Sequence, residues 1–113
     1  MTYEPIHERF GVVGSDGKHH DVEFVRSGFL TQGDRPELFF FRANGEEVVV
    51  GISGSSLARF ERGRRRLTRE EKIDVAGGWL KRQIEAGAPL DSRGLYIQDD
   101  ELANLASKLD LTE

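Results

Sequence analysis

The sequence predicts an α+β domain: one antiparallel sheet built from two β-hairpins, followed by helices packed mainly on one of its faces. Three observations predict it. Glycine-bearing turns divide residues 6–52 into four short β-rich runs, the second half changes to helical periodicity, and Thr68-Arg69-Glu70-Glu71 marks a helix start. The expected order is ββββ-αα-β-α, with residues 1–113 forming a single domain.

Residues 6–13, IHERFGVV, and 19–26, HHDVEFVR, flank the turn GSDGK. A two-residue Asp16-Gly17 turn would set Phe10 against Glu23 and Arg9 against Phe24. A three-residue Ser15-Asp16-Gly17 loop, with Gly17 left-handed, instead pairs Phe10 with Val22 and Arg9 with Glu23. That register keeps apolar side chains on one face and an ion pair on the other, so it is the one expected.

Residues 37–43, ELFFFRA, and 46–52, EEVVVGI, meet across Asn44-Gly45, the preferred pair for a type I′ turn. Pairing through that turn places Phe39, Phe41, Val48 and Val50 on one face, and Leu38, Phe40 and Val49 on the other. A hairpin apolar on both sides needs cover on both sides. Helices supply one; the second must come from the first hairpin curling over, from the C-terminal tail, or from another copy of the chain.

Ser53 or Ser55 can cap a short helix running through Leu57 and Phe60 to Gly63. The capping box at Thr68 starts a longer helix with Ile73, Ala76, Leu80 and Ile84 on one face, stopped by Gly87-Ala88-Pro89. Gly77-Gly78 in its middle costs about 1 kcal/mol per glycine against alanine, which implies a kink or a closely packed backbone. LYI at 95–97 reads as a short strand. Asp99 or Asp100 then caps a last helix that buries Leu102, Leu105, Ala106 and Leu109.

Charge is unevenly placed in a chain of net −4. Residues 1–56 carry five basic against nine acidic side chains, residues 57–86 nine against five, and residues 87–113 two against six. This layout suits a local acidic partner without making the whole chain a polyanion binder. The absence of cysteine excludes a disulfide framework, a thiolate zinc site and a cysteine nucleophile. No apolar run approaches the roughly 20 residues of a membrane span, and residues 1–30 lack the plan of a signal peptide. A bacterial cytoplasmic domain is expected.

Catalytic chemistry finds little purchase. His7 and His19 fall about 20 Å apart along a strand rising ~3.4 Å per residue, too far to share an ion. His20 has no carboxylate in register, and all three histidines are expected to be solvated or on an edge strand. Glu46-Glu47, Glu70-Glu71 and Asp99-Asp100-Glu101 sit at a turn exit or a helix start, where acids complement the helix dipole. Gly51-Ile52-Ser53-Gly54-Ser55-Ser56 runs from strand into helix, the geometry of an anion cradle, but lacks the lysine of a phosphate-binding loop. No catalytic residue, cofactor or metal ligand is assigned; an enzyme or small-ligand site would rest on His20 or this loop.

The segment SSLARFERGRRRLTREEKIDVAGGWL, residues 55–80, opens a helix at Ser55-Ser56-Leu57 and closes it at Phe60-Glu61-Arg62-Gly63 before a second apolar-patterned helix. It resembles the recognition helix and following helix of the phage-repressor helix-turn-helix family. The resemblance implies that Ser55, Ser56 and Arg59 face bases, with Arg64, Arg65 and Arg66 near phosphates. It covers about a quarter of the chain, and a β-hairpin stands where that family has two further helices.

Two functional expectations follow. The first is a non-enzymatic domain that binds protein, principally by self-association as a homodimer through Leu38, Phe40 and Val49, with an acidic protein surface as a further partner. The second is nucleic-acid binding through Arg59, Arg62, Arg64, Arg65, Arg66 and Arg69.

Overall fold

The computed structural model of the chain describes residues 7–29, 36–88 and 95–109. Its elements are β1 Arg9–Val13, β2 His19–Phe29, β3 Glu37–Ala43, β4 Glu46–Ile52, α1 Gly54–Glu61, α2 Arg69–Glu85, β5 Leu95–Ile97 and α3 Asp99–Lys108. The five strands form one sheet in the order β1-β2-β3-β4-β5. The chain is therefore α+β in the order expected. The sheet is mixed rather than wholly antiparallel: β5 pairs parallel to β4, as a strand must when a helical crossover returns it beside its predecessor. Ile6 and Pro89, assigned above to the first strand and to the stop of the long helix, lie outside the described residues.

Both hairpins adopt the expected registers. Arg9 pairs with Glu23 and Phe10 with Val22, around a loop closed by Gly14 N–H to Lys18 carbonyl at 2.8 Å, with Gly17 at φ 81°. Asn44 and Gly45 have φ of 51° and 84°, the left-handed pair of a type I′ turn. Asn44 also ties the hairpins together: its Oδ1 accepts the Asp21 N–H at 2.9 Å and its Nδ2 donates to the His19 carbonyl at 3.3 Å. β2 continues past Arg26 to Phe29 because a bulge at Val25 shifts its register against β3 and restores the alternation beyond it. The first hairpin thus extends the sheet edgewise and does not curl over it.

The inner face carries the core: Val22, Phe39, Phe41, Val48, Val50 and Ile52 meet Ile73, Val75, Ala76, Leu80 and Leu102 from the helices. α2 packs on β1, β3 and β4, and α3 packs on α1 and α2. At its N-terminus α2 has the predicted capping box, with Thr68 Oγ1 accepting the Glu71 N–H and Glu71 accepting the Thr68 N–H. At its C-terminus Gly87, φ 73°, donates to the Ile84 carbonyl and Ala88 to that of Gln83, both at 3.0 Å, the paired bonds of a Schellman motif. Of the two candidate caps of α1, Ser53 is the one used, its Oγ accepting the Ser56 N–H at 3.1 Å.

Two expectations need correction. α3 is capped by Gln98, not by Asp99 or Asp100, which fall in its first turn beside Glu101. The acids there still complement the dipole, but Asp99 turns toward α1. His7 is not a solvated histidine either. Asp74, fully buried on α2, accepts both the backbone N–H of His7, at 3.1 Å, and its ring Nδ1. Glycines 77 and 78 make this possible. A methyl group at Gly77 would fall on the His7 backbone and within 2.6 Å of its Cβ, while the imidazole lies 3.4 Å from the Cβ position of Gly78. The diglycine is a site of close backbone packing, the second of the two alternatives its sequence left open.

Candidate functional site

All three helices lie on the inner face, so among the described residues the outer face of the sheet carries no covering element. Register sorts its side chains into rows running across the strands. One row is Gly28, Leu38, Gly51 and Tyr96, on β2, β3, β4 and β5 in turn. The next is Arg26, Phe40 and Val49. The third, toward the Asn44-Gly45 turn, is Arg9, Glu23, Arg42 and Glu47, four charges of alternating sign.

The first two rows are apolar except for Arg26. Tyr96 is 42% exposed, and its ring lies against Gly51, within 2.6 Å of where a Cβ would stand, with Leu38 on the other side. Gly28 has no atom within 4 Å of its Cβ position, so the row is open at that end. The Arg26 guanidinium sits 3.7 Å from the centroid of the Phe40 ring, and Val49 is buried among these neighbours. The three residues expected to form a contact surface are therefore side by side. Tyr96 joins them, and the alternation of Leu95, Tyr96 and Ile97, which turns the middle residue outward, was the sign of it.

The charged row is loosely tied. Arg42 reaches Glu23 at 3.4 Å and Arg26 reaches Glu47 at 4.0 Å, with all four side chains about half exposed. Such exposed pairs contribute little to the fold and are free to exchange partners.

The arginine cluster is mostly committed to intramolecular contacts. Arg65 makes two bonds to the buried Glu71 carboxylate, at 2.7 and 2.6 Å. Those bonds, more than the opposing effect of burial, hold the Glu71 carboxyl below its ordinary range. Arg59 holds Asp99 through Nε at 2.6 Å and Nη2 at 3.1 Å, and this pair, with the Ser56 hydroxyl donating to the same carboxylate, lowers the Asp99 pKa. Arg64 donates to the Phe60 carbonyl at 2.7 Å, closing the C-terminus of α1. Arg69 donates to Ser27 Oγ at 3.3 Å and lies 5.5 Å from the Phe24 ring centroid. Arg62 and Arg66 are exposed, and their side chains make no ion pair or hydrogen bond among the described residues.

The Gly51–Ser56 turn borders an open groove of about 650 Å³ lined by Ser53, Ser56, Arg59, Tyr96 and Asp99. Its anion-binding geometry is answered from within, because Asp99 takes the Ser56 hydroxyl and the Arg59 guanidinium. His20 lines a smaller hollow of about 330 Å³ with Ser15, Asp16 and the end of α2. Asn44 Nδ2 donates to His20 Nδ1 at 3.3 Å, and its amide orientation is fixed by the bond from Asp21. A neutral His20 therefore carries its proton on Nε2, as a donor and not as a base toward that hollow. His19 pairs with Asp21 at 2.9 Å on the exposed outer face. No helix among the described residues is long and apolar enough to cross a membrane. In comparisons with protein-family models, curated proteins and solved structures, the chain has no match.

Proposed function

We propose that this chain is a non-enzymatic, cytoplasmic protein-binding domain that works as a homodimer through the outer face of its sheet. One observation carries the reading. The hairpin's second apolar face holds Leu38 and Phe40, half-buried, beside the exposed Tyr96, and among the described residues no other element covers it: β1–β2 lie edgewise in the sheet, and α3 packs on the helices. A second copy of the chain can supply that cover. The face also suits one, because an apolar centre bordered by equal numbers of both charges is self-complementary, whereas a strongly acidic or basic partner would meet its own sign.

Light scattering coupled to gel filtration of the full chain at micromolar concentration tests this. The expected mass is twice 12.7 kDa, and Phe40→Asp, which places a charge at the centre of the patch, is expected to halve it while leaving the circular dichroism spectrum unchanged. A wild-type protein that stays monomeric ends the proposal.

A second reading is nucleic-acid binding, and one arrangement favours it. The fold brings an aromatic to the arginine stretch: Phe24 beneath Arg69, with Phe29 on the same strand 69% exposed. A cation over a half-buried ring, with an exposed ring further along the same strand, supplies the two components of a single-strand stacking site. Affinity for a short oligonucleotide that falls steeply with salt supports it, and no binding at low salt removes it.

A further inference from the structure

We infer that Asn44 is a latent site of spontaneous deamidation, kept unreacted in the folded chain by the bonds that draw its side chain onto β2, and that its conversion loosens the second hairpin.

The chemistry needs only an Asn-Gly pair and water. The Gly45 nitrogen attacks Asn44 Cγ; a C–N bond forms, the Cγ–Nδ2 bond breaks, and ammonia leaves carrying the Gly45 amide proton. Water then opens the five-membered imide. Cleavage on the side-chain branch leaves aspartate. Cleavage on the main-chain branch leaves isoaspartate, in which the backbone runs through the former side chain. Gly45 leaves its nitrogen unshielded, because nothing lies within 4 Å of where its Cβ would stand, and both residues are exposed to water.

Direction is what opposes the reaction. β3 lies between β2 and β4, and the turn carries the chain from β3 to β4. Asn44 is tied the other way. Its Oδ1 accepts the Asp21 N–H at 2.9 Å, and its Nδ2 donates to the His19 carbonyl and to His20 Nδ1, each at 3.3 Å. Its backbone N–H donates to the Asp21 carbonyl at 3.0 Å. All of these partners belong to β2, on the far side of β3 from the strand that Gly45 enters. Attack requires Cγ to swing over the Gly45 nitrogen, and the swing breaks the three side-chain bonds together. Losing them at once slows the step by about tenfold or more.

Neither product fits the place that Asn44 fills. An aspartate oxygen in place of Nδ2 sets a lone pair against the His19 carbonyl and against Nδ1 of a His20 protonated on Nε2. Isoaspartate lengthens the backbone of a two-residue turn, and that turn fixes the register of β3 against β4. The pairs Phe40 with Val49 and Arg42 with Glu47 depend on that register.

Mass spectrometry of the full chain after ageing at neutral pH tests this. The tryptic peptide 43–59 spans the turn and holds no other Asn and no Gln, so an amide lost there reports Asn44 alone. Conversion is expected to be at least about tenfold slower in the native chain than in the same chain kept in urea. His20→Ala, which removes one acceptor from the clamp, is expected to quicken native conversion about threefold while leaving the rate in urea unchanged. Equal rates in native and unfolded wild-type chain overturn the inference. A native His20→Ala chain with an unaltered circular dichroism spectrum that ages no faster than wild type overturns the clamp as its cause. Protein aged until isoaspartate accumulates is expected to exchange its β3 and β4 amide hydrogens faster than fresh protein, and unchanged exchange overturns the effect on the hairpin.

Discussion

Glycine 77 and glycine 78 are neighbours on one helix with opposite tolerances. Alanine in place of glycine inside a helix gains about 1 kcal/mol from backbone entropy alone. At Gly78 the added methyl meets the His7 ring at 3.4 Å and Leu105 at 3.7 Å, ordinary contact distances, so the gain is kept. At Gly77 the methyl meets the backbone of His7, which is pinned by two bonds to Asp74 and cannot step aside as a side-chain tip would. Overpacking of this kind costs about 1–3 kcal/mol, more than the propensity gain. Urea unfolding is expected to show Gly78→Ala stabilised by about 0.5–1 kcal/mol and Gly77→Ala destabilised by about 1–2 kcal/mol. Equal effects at the two positions would mean that His7 does not lie across α2 as described.

At the scale of elements, the turn from α1 to α2 is held by acids that take up the charge of its arginines. Glu61 Oε2 accepts the Leu67 N–H at 2.7 Å, and Glu71 both completes the cap of α2 and receives Arg65. Because Arg65 lowers the Glu71 pKa, the folded chain binds that proton more weakly than the unfolded chain does. The stabilisation is complete above the unfolded value near 4.5 and is lost as pH falls through the lower folded value. Glu71→Gln keeps an acceptor for the cap but removes the charge. It is expected to cost about 1–2 kcal/mol at neutral pH, less than a fully buried pair because Arg65 reaches solvent. Its stability should also decline less between pH 5 and pH 3, and an acid limb as steep as that of the wild type in thermal melts would count against the pair. Glu71→Ala, losing the cap as well, is expected to cost about 1 kcal/mol more.

For the whole molecule, what the sequence made legible was whatever short-range chemistry decides. Asn44-Gly45, the loop ending in Gly17, the Thr68–Glu71 box and Gly87 each specify their own turn or cap, and the registers of both hairpins follow from them. That Leu38, Phe40 and Val49 share one face was legible for the same reason, since register alone places them there. Partners far apart in the chain were not: His7 with Asp74, Arg59 with Asp99 and Lys72 with Glu37 are bonds between residues whose spacing carries no signal. The arginine stretch shows the consequence most clearly. As sequence it is a block of like charge, whereas folded it divides into side chains that hold the structure and two that do not. Arg65→Ala leaves the carboxylate of Glu71 buried with its cation gone, and is expected to lower stability by about 1–2 kcal/mol. Arg62→Glu with Arg66→Glu alters no side-chain ion pair or hydrogen bond among the described residues, and is expected to change stability by less than about 0.5 kcal/mol. The same double variant reverses four units of charge on the exposed turn, so it separates the two functional readings. If the domain acts through its sheet face, dimer mass and stability both survive this change. If nucleic acid is the partner, affinity at low salt collapses, and the slope of log affinity against log salt becomes shallower, because fewer phosphate contacts remain to release counterions.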